Sequence, residues 1–372
     1  MMSAKFHNRM VMSVAALLLL AFAVSCNDFS YGYDENNPGS TRPNESLLKF
    51  SVLWDKAGVA SSQTPQEVTV LMSRKTNTVH YVWNINGKGD FVDAEEAPTV
   101  LNGDYYTVAY SDDTDFYKFS AYDEFAADPA YEMARFCAEL PEVPDSEVSP
   151  DKDLLDFNPY AGFVRSADAP LYIDIVKDAV FPSAGAPIVL HPRNVTRKLT
   201  FRLKVGSEDG VTVDNISAVL SGVACNVQLM SGLVLEANTA KVAFDLSKCG
   251  RDGKYDLYEG TVGLFGIFPP KDRTYVSGPG ILQVSVSASV EDNGTVRKRV
   301  FHAGLNLKGV LDQAGLMQQS SDKSGYTMKP QSSIGRLSVD PVLKVLKNQI
   351  MSSETEGLYE WFENTVEITP DI

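Results

Sequence analysis

Cysteine and histidine are scarce in this chain of 372 residues, with four of each. They are scattered, which speaks against a metal- or thiol-based enzyme. His80, His191 and His302 lie far apart, in no metal-ligand spacing such as H-x-x-E-H. No G-x-S-x-G, P-loop or glycine-rich dinucleotide motif is present. Basic residues are in deficit: 33 Lys and Arg against 48 Asp and Glu, a net charge of −15. A polyanionic nucleic acid is therefore a poor partner. No internal repeat recurs at fixed period. After the N-terminus no segment is apolar enough to span a membrane.

What is present is an ordinary globular composition, 44% hydrophobic and 22% charged, with 26 Gly and 19 Pro. The length suggests two domains, because single cores stop growing beyond about 250–300 residues.

The N-terminus reads as a signal peptide over residues 1–25. Lys5 and Arg9 supply a positive start, and 11–24 is almost unbroken apolar sequence. That run suits a signal core and is short of the about 20 residues of a membrane helix. It ends at Ala23-Val24-Ser25-Cys26, which resembles a bacterial lipobox with Ala in place of the usual first Leu. Cys26 is the expected lipidation site. Acyl chains anchor durably, at about 0.8 kcal/mol per buried CH₂. Residues 26–46 are polar, with Pro38 and Pro43, and read as a lipidated N-terminus and tether. Asp28, Asp34 and Glu35 are either a solvated linker or an acidic surface-export signal.

From residue 47 short β-rich runs dominate: 47–54, 67–72, 78–85, 99–110 and 116–119, then 171–176 and 187–190. Residues 126–140 have helical spacing, and 141–168 read as a long irregular loop broken by four prolines. A second β-rich part starts near Val195. Leu199, Phe201, Leu203 and Val205 alternate with Lys198, Thr200, Arg202 and Lys204, the mark of a strand with one dry face. Runs follow at 215–223, 226–230, 233–237, 241–246, 256–268, 281–290 and 295–302. Between the last two, Asn293-Gly294 predicts a type I′ hairpin turn. Residues 318–336 read as a loop, 341–351 have helix-like spacing, and 358–362 with 366–368 could form a final short element. The prediction is an all-β protein of sandwich or barrel type with a short helix and long loops.

Three stretches in this order, Leu101-Asn102-Gly103-Asp104-Tyr105-Tyr106, 197–205 and 216–223, follow a lipobox Cys. The arrangement resembles the fimbrillin-like lipoproteins of Bacteroidales, in particular the anchor and accessory relatives of minor-fimbria subunits. The resemblance implies two tandem β-sandwich domains, transthyretin-like, over 47–192 and 193–330, with 331–372 as a C-terminal extension. It implies a non-enzymatic lipoprotein of the outer membrane, facing the cell surface. Such a protein anchors or contributes to a fimbria through strand contacts with other subunits, and needs no cofactor. The alternative reading is a surface glycan-binding lipoprotein of a polysaccharide-uptake system.

Cys225 and Cys249 flank a predicted meander, so an exported protein could join them in a disulfide, with Cys137 left over. A buried free thiol is the commoner alternative. Asp112, Asp113 and Asp115 offer oxygens for Ca²⁺ but lack the glycine and distal Glu of a calcium loop, and read as a solvated loop. Tyr105, Tyr106, Tyr110, Phe116, Tyr117 and Tyr122 could form a sugar-binding platform, though core packing accounts for most of them.

Overall fold

A computed structural model describes residues 44–58, 64–76, 80–92, 98–111, 115–120, 129–144, 147, 162–181, 185–275, 277–352 and 361–366. The first half holds β1 (Glu45–Leu47), β2 (Phe50–Val52), β3 (Glu67–Arg74), β4 (His80–Asn86), β5 (Thr99–Leu101), β6 (Gly103–Ser111), β7 (Lys118–Phe119), α1 (Pro129–Arg135), β8 (Cys137–Glu139), β9 (Tyr172–Phe181), β10 (Ile188–Leu190) and β11 (Arg193–Asn194). The second half holds β12 (Arg197–Ser207), β13 (Val211–Ala224), β14 (Asn226–Gln228), β15 (Thr239–Asp252), β16 (Tyr255–Leu264), β17 (Ile281–Asp292), β18 (Thr295–Asn306), α2 (Lys308–Ala314), β19 (Met317–Gln319), β20 (Tyr326–Met328), β21 (Leu337–Val345), β22 (Ile350–Ser352) and β23 (Trp361–Val366). The protein is all-β with few helices, as its β-branched and aromatic runs predict.

Two sheets carry the fold. A five-stranded antiparallel sheet runs β11-β9-β6-β3-β4, and a nine-stranded sheet runs β22-β21-β12-β16-β15-β13-β17-β18-β23. Strand β12 shows why the second sheet forms. Leu199, Phe201 and Leu203 are fully buried and Val205 nearly so, while the residues between them are half-buried or exposed. Burying each such side chain contributes about 1.5–3 kcal/mol. Strands β17 and β18 pair from Ile281 opposite Asn306 to Asp292 opposite Thr295. Their turn is the expected one, with φ of 50° at Asn293 and 79° at Gly294.

The five-stranded sheet is buried on both faces. Val70, Met72, Tyr105 and Ala109 pack with Leu48, Phe50, Val100 and Leu190, from the short pairs β1–β5 and β2–β10 and the link between β1 and β2. Leu71, Val108 and Ile173 face the other way, into one core with Tyr117, Met133, Phe136, Leu199, Phe201 and Phe265. The two halves thus share a continuous hydrophobic core. Backbone pairing crosses between them as well. Strand β8 pairs antiparallel with β14, so that Cys137 lies opposite Gln228. Val164 N–H donates to Lys241 O and Ala167 N–H to Gly263 O, each at 2.9 Å. At Gly263 the approach is so close that a Cβ would lie 1.9 Å from Ala167 O.

Several expectations are corrected. The helix expected over 126–140 is the short α1. It gives way at Cys137 to β8, whose ladders with β7 and β14 outweigh the helical spacing. The helix-like segment 341–351 is instead β21 and β22. Strand β21 pairs parallel with β12, with Val339 opposite Leu203 and Val342 opposite Lys204. The ladder therefore skips Asp340 and Pro341, where proline has no N–H to give. The helix-like spacing lies in Val342, Val345, Leu346 and Ile350; Val345 and Ile350 are both buried because they pair with each other across the turn 346–349. Helix α2 was not anticipated, and the loop 318–336 contains the β19–β20 hairpin. Residues 233–237 form no strand; Val234 makes a single bridge to Tyr326.

Candidate functional site

The lipidation candidate Cys26, with the signal peptide and tether, lies outside the described residues, as do Asp112, Asp113 and Tyr122. Among the described residues no helix is long and apolar enough to cross a membrane.

The feature best suited to joining molecules is the end of the nine-stranded sheet. β23 is its edge strand and pairs antiparallel with β18 alone, from Val300 opposite Val366 to Leu305 opposite Trp361. Beneath it Val300, Phe301, Ala303 and Leu305 of β18 are buried. The alternation of β18 puts Phe301, Ala303 and Leu305 into the shared core. On its other face His302 is buried, its Nδ1 3.0 Å from Ser285 Oγ of β17. The far edge, β22, comes back into contact with β18 and β23, so the sheet curls towards closure. Arg299 spans that seam: its Nη1 donates to Lys347 O and, at 2.6 Å, to Asn348 Oδ1, both in the turn between β21 and β22. No ladder links β22 to β23 among the described residues. An edge strand with one neighbour leaves a row of backbone N–H and C=O groups for another strand.

Cys225 and Cys249 are not brought together. Cys225 N–H donates to Asn238 O at one end of β15, while Cys249 lies near the other end. Roughly ten residues of strand at about 3.4 Å each separate those ends, far beyond the reach of a disulfide. Cys137, Cys225 and Cys249 are all free thiols, buried, half-buried and exposed respectively. Burial raises the pKa of Cys137 and of Cys225 above the usual thiol value.

The aromatic cluster is internal. Tyr105 is fully buried against Phe181, Tyr110 packs on Phe119 and Phe136, and Tyr117 stacks on Phe265 at 5.5 Å between centroids. It forms core, with no exposed platform among its described members. His191 pairs with Asp55 at 2.8 Å, which lowers the Asp55 pKa. The described residues hold no group of three metal-ligating side chains.

No protein-family model matches the chain, and no curated protein matches it in sequence. Solved structures do resemble it. A candidate adhesin of Bacteroides ovatus aligns at TM-score 0.47 and 14% identity, over 79% of this chain and 92% of its own. A candidate cell adhesion protein of Parabacteroides distasonis aligns at TM-score 0.39 and 7% identity, over 87% and 98%. The fimbrial anchor protein Mfa2 of Porphyromonas gingivalis aligns at TM-score 0.37 and 9% identity, over 83% and 97%.

Proposed function

We propose that this protein is a non-enzymatic surface lipoprotein, held to the outer membrane by an acylated Cys26, which anchors or contributes to a fimbria through strand contacts between subunits. The observation that carries the reading is the edge position of β23. A strand with one neighbour can give its outer edge to a second subunit. If it detaches, the edge of β18 becomes the acceptor. Either route makes a main-chain ladder, the basis of strand-addition complexes. A fixed lipid at one end and an open β-edge at the other suit a subunit that joins membrane to polymer. The domains proposed on this reading are sandwiches over 47–192 and 193–330, with β21 to β23 of the extension completing the second sheet.

The test combines anchoring with assembly. Cys26→Ala should abolish labelling by a palmitate analogue and shift the chain from the membrane to the soluble fraction, or hold it as precursor. Deletion of 358–372 should change the number or length of fimbriae while the mature lipoprotein keeps its abundance. Equal labelling of wild type and Cys26→Ala would refute the lipid anchor. Unchanged fimbriae with normal surface display would refute the role of the edge strand.

A further inference from the structure

Elements of both halves meet around a cavity of about 590 Å³, within the range of small-ligand sites. Lys56, Arg193 and Arg197 line it, with the amides of Asn194, Gln318 and Gln331. No Asp or Glu is among its described lining residues, although acids outnumber bases in the chain 48 to 33. Local concentration of cations against the overall charge is the first sign of an anion site.

Among the described residues the two arginines are not neutralised internally, whereas Lys56 has the adjacent Asp55 carboxylate, whose pKa its charge helps to lower. Arg197 donates from Nε to Lys329 O at 2.8 Å and from Nη1 to the carbonyls of Asn194 and Thr196, so only neutral oxygens hold it. Burial, and next the charge of Arg193, lower its pKa below the usual arginine value, the signature of a cation lacking a counter-ion. Arg193 and Lys56 make no ion pair among the described residues, where several other surface cations do. The Arg193 guanidinium lies against Gly232: a Cβ there would stand 2.5 Å from Arg193 Nη2. Gly232, at φ +66°, thus gives the guanidinium its space.

We propose that this cavity binds a carboxylate-bearing sugar, a uronic or sialic acid unit. The guanidinium of Arg193 suits a carboxylate, which it can meet with two parallel N–H bonds. Gln331 is tied on both sides to the Lys198 backbone and Asn194 Oδ1 accepts from Thr196 N–H; that leaves the Asn194 Nδ2 donor and the Gln318 amide, which both donates and accepts, for the hydroxyls of a sugar. Phe265 and Val234 add an apolar wall for the C–H face of a pyranose ring. The site does not depend on the fimbrial reading, since none of its residues belongs to the β18–β23 edge.

The test uses the full mature lipoprotein in detergent and two sugars that differ only in a carboxylate for a hydroxymethyl group. Methyl β-glucuronide should give saturable binding by titration calorimetry, and methyl β-glucoside should bind about tenfold more weakly or worse. Arg193→Gln should weaken glucuronide binding about tenfold. It should leave the thermal midpoint unchanged, because Arg193 makes no ion pair in the described residues. Arg297→Gln, on the exposed β18 hairpin, should bind as wild type. The proposal is overturned if both sugars bind equally. It is equally overturned if neither the glucuronide nor the methyl glycoside of N-acetylneuraminic acid binds, or if an acetylated dipeptide with a free carboxylate binds as tightly as the glucuronide.

Discussion

The hydroxyl of Tyr117 lies 2.8 Å from Oγ1 of Thr196, in a buried contact between side chains 79 positions apart. Tyr117 donates to Ala169 O at 2.5 Å, and Thr196 Oγ1 accepts from Leu171 N–H at 3.1 Å. Thr196 is therefore the donor between the two hydroxyls. One chain of hydrogen bonds ties Tyr117, ahead of α1, and residues 169–171 to the junction between the two main sheets.

That chain makes a prediction about both hydroxyls. Thr196→Val keeps the side-chain shape but strands Leu171 N–H in a dry site. It should cost about 1–3 kcal/mol of stability. Tyr117→Phe leaves that backbone donor satisfied but takes the donor from Ala169 O and the acceptor from the Thr196 hydroxyl, and should cost about as much. Urea denaturation of both variants at equal m-value checks the two losses. A variant as stable as the wild type would contradict the buried chain.

A second prediction concerns the boundaries at 193 and 330. Residue 193 falls in β11, just ahead of the nine-stranded sheet, but that sheet continues past 330. Leu337, Val339, Leu343 and Val345 of β21 are buried beside β12. A fragment of 193–330 lacks them and should unfold without a cooperative transition. A fragment of 193–372 restores them and should regain one, at lower stability than the full chain because it lacks Tyr117, Met133 and Phe136 of the shared core. Circular dichroism with denaturant compares the two. Equal cooperativity would show that β21 is dispensable.

Local chemistry was legible in the sequence where one residue or one strand decides the outcome. The alternation from Leu199 to Val205 and the turn at Asn293-Gly294 are of that kind, since each depends only on neighbouring side chains. The sharing of a core between halves was not legible. Tyr105 and Tyr110 both look like core residues, yet nothing local says that one packs towards Phe181 and the other towards Phe136. The segment 341–351 misled in a definite way, because the turn at 346–349 folds Ile350 back beside Val345, and two short strands then mimic one helical stripe. The cavity was invisible too: Lys56 and Gln331 are far apart in sequence and only the fold unites them.

The free thiols give a third prediction. A chain begun at residue 27, unfolded without reductant, should present three reactive thiols. In the native state Cys249 should react with maleimide within minutes, and Cys137 should be protected. Cys225 should react slowly, because burial both shields it and keeps its thiol protonated. Mass spectrometry after alkylation reads all three. A single reactive thiol in the unfolded, unreduced chain would mean that two of the three had paired, against the three free thiols seen here.

The last prediction concerns pH and the hairpin that lines the cavity. At its tip the Asp322 carboxylate accepts from Ser324 Oγ at 2.7 Å, Ser320 Oγ at 2.7 Å and Ser324 N–H at 3.1 Å. Those bonds, led by the Ser324 hydroxyl, hold its pKa down to about 2. An unfolded Asp titrates near about 3.9. A depressed folded value means that the carboxylate supports the turn fully above the unfolded pKa. The support is lost as pH falls from about 4 through about 2. The Asp322 carboxyl carbon, followed by NMR, should titrate near 2, and the amide signals of Ser324 and Gly325 should shift in the same window. In Asp322→Asn the side chain can still accept but cannot ionise, so those amides should lose their pH dependence between about 4 and 2. If they titrate alike in both proteins, the tip is governed by another group. If the Asp322 midpoint lies near 4, the three hydrogen bonds do not persist in solution, and Gln318 and Thr327 lose a fixed support at the cavity wall.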